Sequence, residues 1–154
     1  MALLLGWRIF FINVISVSIL WFYASVFKKK PFSGNLIVAL LTALSISEIA
    51  LYYEPNRIII HVYALFAFFI NLVREIIKDM EDMKGDAAHG SKTLPIYFGI
   101  RKTKQIIYLL LLLFVAAVLM LINRLGNLNL WICFGILGML LLLMVYKLIL
   151  ADRK

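Results

Sequence analysis

The chain is poor in acid, in cysteine and in helix-breaking residues. Among its 154 residues are eight Asp and Glu, one cysteine and three prolines. No Asp or Glu occurs before Tyr23. A single cysteine, Cys133, excludes an intrachain disulfide, and its apolar surroundings read as a packing position. No Asn-x-Ser/Thr glycosylation acceptor is present. The opening "MALLLGWRIF" has no basic segment ahead of its apolar stretch, which does not fit a cleaved signal peptide. Nowhere does the sequence keep the strict alternation that a membrane β-strand requires. Internal repeats and low-complexity linkers are also missing.

What fills the space is apolar. Hydrophobic residues make up 64% of the chain and the mean hydropathy is +0.99. A soluble domain is roughly half apolar, so this excess points to an integral membrane protein. The formal charge of +8 could suggest a nucleic-acid partner. The aromatics lie inside the apolar stretches rather than in a basic groove, so no nucleic-acid partner is expected. The basic residues read instead as anchors on the cytoplasmic side of a bilayer.

Five segments are long enough to cross ~30 Å of hydrocarbon at 1.5 Å per residue. They fall at about 2–27, 33–53, 56–83, 105–123 and 128–147. The fold class expected is therefore all-α, a multi-spanning transmembrane bundle. "KKKPFSG", "EPN" and "RLGNLN" supply the turns between spans. If the spans alternate, one side carries Lys28, Lys29, Lys30, the bases from Arg74 to Lys104, Lys147, Arg153 and Lys154. The other carries only Arg8, Arg57 and Arg124. Thirteen against three puts the first side in the cytoplasm.

Five of the eight acids crowd into residues 74–86 of "REIIKDMEDMKGDAAHGSKTLP". Good helix formers predict that the third helix continues to about Met83 and stops at Gly85. At 100° per residue, Glu75, Asp79 and Asp82 share one face, and Asp86 joins if the helix persists. Arg74, Lys78 and Glu81 flank them. Like charges at this spacing repel, and a helix C-terminus disfavours them further. Two arrangements offset that cost. The acids can be simply solvated, with Lys78 paired to Asp82. Or they can hold a divalent cation: oxygen-only ligands beside bases suit Mg²⁺ carrying a phosphorylated substrate. His89 is a poor addition to such a hard site. His61 reads as a packing or interface residue. Glu48, ionisable within a span, is expected near the far interface, where it reaches water.

This run resembles the second aspartate-rich motif of the UbiA family of intramembrane prenyltransferases. Asp82-Met83-Lys84-Gly85-Asp86 matches its D-x-x-x-D, and Gly90 to Pro95 matches the Gly-base-Thr-Leu-Pro that follows. "YASVFKKKPFSGN", Tyr23 to Asn35, resembles the family's Y-S-x-x-x-K-R-x-P-x-x-G-N turn between its fourth and fifth helices. The two blocks stand in the expected topological places, and the likeness covers most of the chain.

The resemblance implies transfer of a prenyl group from a prenyl diphosphate to a lipid or aromatic acceptor within the membrane. "REIIKDMEDMKGD" leans toward members that act on geranylgeranylglycerol phosphate. It implies Mg²⁺ held by Asp82 and Asp86, with Asp79 as a third ligand, and catalysis centred on Asp82 and Asp86. Lys28, Arg74, Lys78 and Lys92 are implied to hold phosphate oxygens. Tyr23, Tyr63, Phe66 and Tyr97 are candidates to line the prenyl cavity. The family also has a first motif, N-D-x-x-D, which this sequence does not contain. Residues 1–154 are thus expected to form one incomplete prenyltransferase-like domain, matching helices four to eight of nine. Alone, that domain is expected to bind diphosphate weakly and transfer little. CDP-alcohol phosphotransferases also use intramembrane aspartates with Mg²⁺, but their D-G-x-x-A-R signature is absent. A non-catalytic membrane scaffold is the other reading.

Overall fold

The computed structural model describes residues 6–25, 27, 30–53, 58–125, 139, 143 and 146. These residues are helical apart from short connections, and no strand occurs among them. The chain divides into two compact units, Met1–Lys104 and Gln105–Lys154.

The first unit contains α1 (Trp7–Ser25), α2 (Ser33–Tyr53), α3 (Ile58–Glu81), α4 (Met83–Ala88) and α5 (Leu94–Phe98). α2 and α3 form the most extensive packed pair, and α1 lies against α2. Close approach is possible because α2 buries small residues, Gly34, Ala39 and Ala50. Small side chains let helix backbones meet in lipid, where no hydrophobic effect drives helices together. α3 contributes Val62, Phe66, Val73 and Ile76 at helical spacing to the buried side. α1 has almost no buried face: Phe11, Ile15, Val17, Trp21 and Phe22 are exposed. An exposed run of this kind suits hydrocarbon rather than water.

Several hydroxyls and amides inside the spans are satisfied by nearby carbonyls, as a bilayer favours. Ser18 donates to the Val14 carbonyl at 2.8 Å, Thr42 to Val38 at 2.9 Å and Asn71 to Ala67 at 3.0 Å. Asn13 of α1 donates to the Ile9 carbonyl at 3.0 Å and across to Glu48 of α2 at 2.6 Å. Glu48 is thus half-buried and accepts an interhelical amide, one turn before Tyr52 at the far end of α2.

The second unit continues α6 (Ile100–Leu125), whose residues Ile107, Leu111, Phe114 and Val118 are buried at spacings of three and four. Of the fifth expected span, 128–147, only Met139, Leu143 and Tyr146 are described. They are helical and exposed. Cys133 lies outside the described residues.

Among the described residues, four helices are long and apolar enough to cross a membrane: Trp7–Ser25, Ser33–Tyr53, Ile59–Glu81 and Ile100–Leu121. They correspond to the first four expected spans with shifted ends. α6 begins five residues before 105, directly after Gly99, whose φ of +81° breaks the chain between α5 and α6.

The ends of the first unit are chemically different. The C-terminal end of α1, the start of α2 and the end of α3 border one polar cavity. The opposite ends of α1 and α2 border another, lined by Trp7, Arg8 and Tyr52 among others. Tyr23 and Arg8 are fifteen residues apart on α1, about 22 Å at helical rise. Aromatic residues at such a level match the usual interfacial belt.

Candidate functional site

The acidic run does not form one helix to Met83. α3 stops at Glu81, Asp82 turns with φ −86° and ψ 6°, and α4 resumes at Met83. Gly85, expected as the stop, lies inside α4. The break is slight because the hydrogen bonds bridge it. Asp82 N–H donates to the Lys78 carbonyl and Asp86 N–H to the Asp82 carbonyl, both at 2.9 Å. The facial alignment of the acids therefore survives the bend.

α4 ends in a Schellman motif, with Ser91 N–H donating to the Asp86 carbonyl at 2.9 Å and Gly90 N–H to Ala87 at 3.1 Å. Gly90 takes the left-handed conformation this requires, φ +69°. The reversal carries Ser91 and Thr93 back to the wall of the cavity that the acids line. A Cβ at Gly90 would meet nothing within 4 Å, so the cost of adding one is torsional. Gly90→Ala is expected to destabilise the protein by about 1–2 kcal/mol. Thermal unfolding in detergent checks this; an unchanged midpoint would contradict it.

The cavity is about 210 Å³ in volume. Glu75, Asp79, Asp82 and Asp86 line one side, and Lys78 from the same run joins them. Tyr23, Lys30, Gly34 and Asn35, all from the second motif block, complete the wall together with Ser91 and Thr93. The two sequence blocks are thus brought to one place.

Electrostatic pairing inside the cavity is partial. Lys78 Nζ approaches Glu75 at 4.0 Å rather than Asp82, and Arg74 approaches Glu75 from outside at 3.6 Å. Both bases are largely exposed, so these pairs contribute little to stability. Asn35 Nδ2 donates to Asp79 Oδ2 at 2.8 Å. The side chains of Asp82 and Asp86 make no ion pair or hydrogen bond with other described residues. Thr93 Oγ1 is buried without a partner. Pro95 follows two residues later and removes one of the N–H groups that such a hydroxyl normally caps.

Of the residues singled out from sequence, Asp79, Asp82, Asp86, Lys78 and Tyr23 meet at the cavity. Arg74 and Lys92 are exposed and do not line it. Lys28 lies outside the described residues. Tyr63 and Tyr97 are exposed, Phe66 is buried, and none of the three borders the cavity. His61 is exposed. His89, also exposed, has its Nδ1 2.9 Å from the Gly85 carbonyl. Lys30, Asn35, Ser91 and Thr93 had no assigned role in the sequence. The first two stand within the Tyr23–Asn35 block and the last two within the Gly90–Pro95 block, so the motif likeness was the signal available.

Among the described residues, no three His, Cys, Asp or Glu side chains form a ready-made metal cluster. The donor set nonetheless fits Mg²⁺. It consists of hard carboxylate oxygens, and Mg²⁺ is usually held by one or two of these, with phosphate and water completing the octahedron.

Apolar helices of membrane-crossing length that meet at one end in a polar, carboxylate-lined cavity are the architecture of an integral membrane protein. The sequence profile of the UbiA prenyltransferase family matches residues 1–154, and the chain belongs to that family. Among similar proteins is a digeranylgeranylglyceryl phosphate synthase of Thermococcus sibiricus, 40% identical over 106 residues, covering 68% of this chain and 37% of that protein. Proteins of the same name from Saccharolobus solfataricus (39% over 127 residues; 81% of this chain, 42% of that protein) and Methanospirillum hungatei (44% over 104; 66% and 36%) are also similar. The chain spans about two fifths of the length of the curated relatives it matches. No solved structure matches it.

Proposed function

We propose that the protein takes part in Mg²⁺-dependent transfer of a prenyl group from a prenyl diphosphate to a lipid acceptor, geranylgeranylglyceryl phosphate being the acceptor favoured by its relatives. The observation that carries this reading is the gathering of Asp79, Asp82, Asp86, Lys78 and Tyr23 in one cavity at the end of apolar helices. Residues 1–154 act as one prenyltransferase-like domain in this reading.

Asp82 and Asp86, whose carboxylates carry no partner among the described residues, would hold the cation, with Asp79 beside them. When bound, Mg²⁺ supplies charge neutralisation that makes diphosphate a competent leaving group. Lys78, at the cavity wall, is the base placed to take phosphate oxygens. Lys28, in the basic turn after Tyr23, is proposed to assist from the sequence pattern alone. Arg74 and Lys92 stand outside the cavity and would act on a larger headgroup or on the approaching anion. Tyr23 presents a ring at the cavity, where an aromatic face stabilises positive charge developing on the allylic carbon. One C–O bond breaks as another forms to the acceptor hydroxyl, and the acceptor's proton is released. The prenyl chain would extend from the cavity along the apolar helices.

The acidic run faces the cytoplasm in this proposal. Lys30 lines the cavity, and thirteen of sixteen Lys and Arg fall on that side of an alternating topology. Cysteine introduced at Ala87, in a Cys133→Ser background, is expected to resist an impermeant maleimide added to intact cells and to react after lysis. Labelling from outside would contradict the assignment.

The reaction itself is tested in membranes of cells that carry the gene at its own locus. Labelled geranylgeranyl diphosphate and geranylgeranylglyceryl phosphate should give the doubly prenylated product. Membranes from a deletion strain should not. Equal product from both would remove this reading.

A further inference from the structure

At the cavity, the packed pair α2 and α3 is joined by a hydrogen bond between polar side chains. Asn35 stands in the first turn of α2 and Asp79 in the last turn of α3. Asn35 is 7% exposed, and its amide donates to Asp79 Oδ2 at 2.8 Å. Both residues line the cavity. The placement of Asn35 is built into the preceding turn: Phe32 adopts a left-handed φ of +66°, and its carbonyl receives Leu36 N–H at 3.0 Å. α2 therefore starts at a fixed level relative to Pro31, and Asn35 with it. Gly34 is buried beside it.

Asp79 has like charge close by, with Lys78 as a partial counterweight. Glu75 lies one turn earlier, and Asp86 lines the same cavity. Repulsion alone would turn the Asp79 carboxylate away from them, toward Lys78 or out of the cavity. A neutral amide corrects the orientation without cancelling the charge that a cation needs, as a lysine in its place would. Donation to Oδ2 leaves Oδ1 available. Partners that orient a metal-ligating carboxylate in this way are part of many metal sites.

We propose that Asn35 is a positioning residue, which presents the Asp79 carboxylate to a divalent cation–diphosphate in the cavity. The inference rests on the function proposed above. The competing role for Asn35 is interhelical attachment alone, since amides commonly join helices in membranes.

The test compares Mn²⁺ binding, read by electron paramagnetic resonance, in proteoliposomes containing geranylgeranyl diphosphate. Asn35→Ala should raise the half-saturating Mn²⁺ concentration by about 10–100-fold with the number of sites unchanged. Asp79→Asn should weaken binding at least as much. The exchange Asn35→Asp with Asp79→Asn restores an amide–carboxylate pair between α2 and α3, so thermal stability should return to the wild-type value. Mn²⁺ affinity should not return, because the carboxylate now projects from the wrong helix. This variant keeps the test valid should Asn35→Ala fail to fold. If the exchange restores affinity and stability together, Asn35 is an attachment and the proposal is overturned. Unchanged affinity in Asn35→Ala beside weakened Asp79→Asn overturns it as well. Wild-type affinity in Asp79→Asn would overturn the use of Asp79 as a ligand, and the inference with it.

Discussion

Replacing Asp82 and Asp86 together by asparagine is expected to lower prenyl transfer by about a thousandfold or more, with the protein still inserted and folded. The two side chains have no hydrogen-bond or ion-pair partner among the described residues, so no structural contact is lost with their charge. Asparagine keeps the volume and removes the anionic oxygens. The fold should even gain slightly. Asp82 and Asp86 are four residues apart across the α3–α4 bend, and relieving like-charge repulsion at that spacing stabilises by about a few tenths of a kcal/mol. The variant should therefore melt no lower than wild type without metal, and should not show the rise in melting temperature expected of wild type with Mg²⁺ and diphosphate. Activity in membranes of a strain carrying both substitutions checks the first part, and thermal unfolding of the purified protein the second. A folded double variant that retained most of its activity would mean the cavity carboxylates serve another purpose.

Chelation is expected to have an effect of similar size. With EDTA in excess, transfer should fall to background, and Mg²⁺ or Mn²⁺ should restore it. Ca²⁺ should restore it poorly, because it prefers longer bonds and a larger, more irregular shell than a diphosphate with one or two carboxylates provides. The carboxylate excess in the cavity is the reason. Among the described residues lining the cavity, the four carboxylates of Glu75, Asp79, Asp82 and Asp86 stand against Lys30 and Lys78, so a diphosphate arriving without a cation would meet net repulsion. Full transfer in EDTA would contradict a role for any dissociable cation.

The membrane architecture was legible in the sequence because the bilayer sets a length. A run of about twenty apolar residues has few alternatives, and α1, α2, α3 and α6 follow those runs. Their ends were less legible. Lys78 to Met83 are all tolerable helix residues, so nothing local marks the one-residue turn at Asp82. Conversely, Gly85 looked like a terminator, but its freedom is used at Gly90, where the Schellman geometry demands a positive φ. The acids at 75, 79, 82 and 86 could be placed on one face by arithmetic alone. The pairs Asn35–Asp79 and Asn13–Glu48 could not, since each joins residues more than thirty positions apart through helix packing. The same holds for the buried hydroxyl of Thr93. Arg74 stands in the same motif-bearing run, and its position on the helix leaves it exposed beside the cavity rather than in its wall.

Equilibrium binding of labelled geranylgeranyl diphosphate to the protein in proteoliposomes, with Mg²⁺ or with EDTA, tests the central claim most directly. The claim is that the carboxylate cavity holds a diphosphate through a divalent cation. Retention should require Mg²⁺ and should disappear in the Asp82→Asn, Asp86→Asn variant. Equal retention in EDTA, or undiminished Mg²⁺-dependent retention by the double variant, would contradict it.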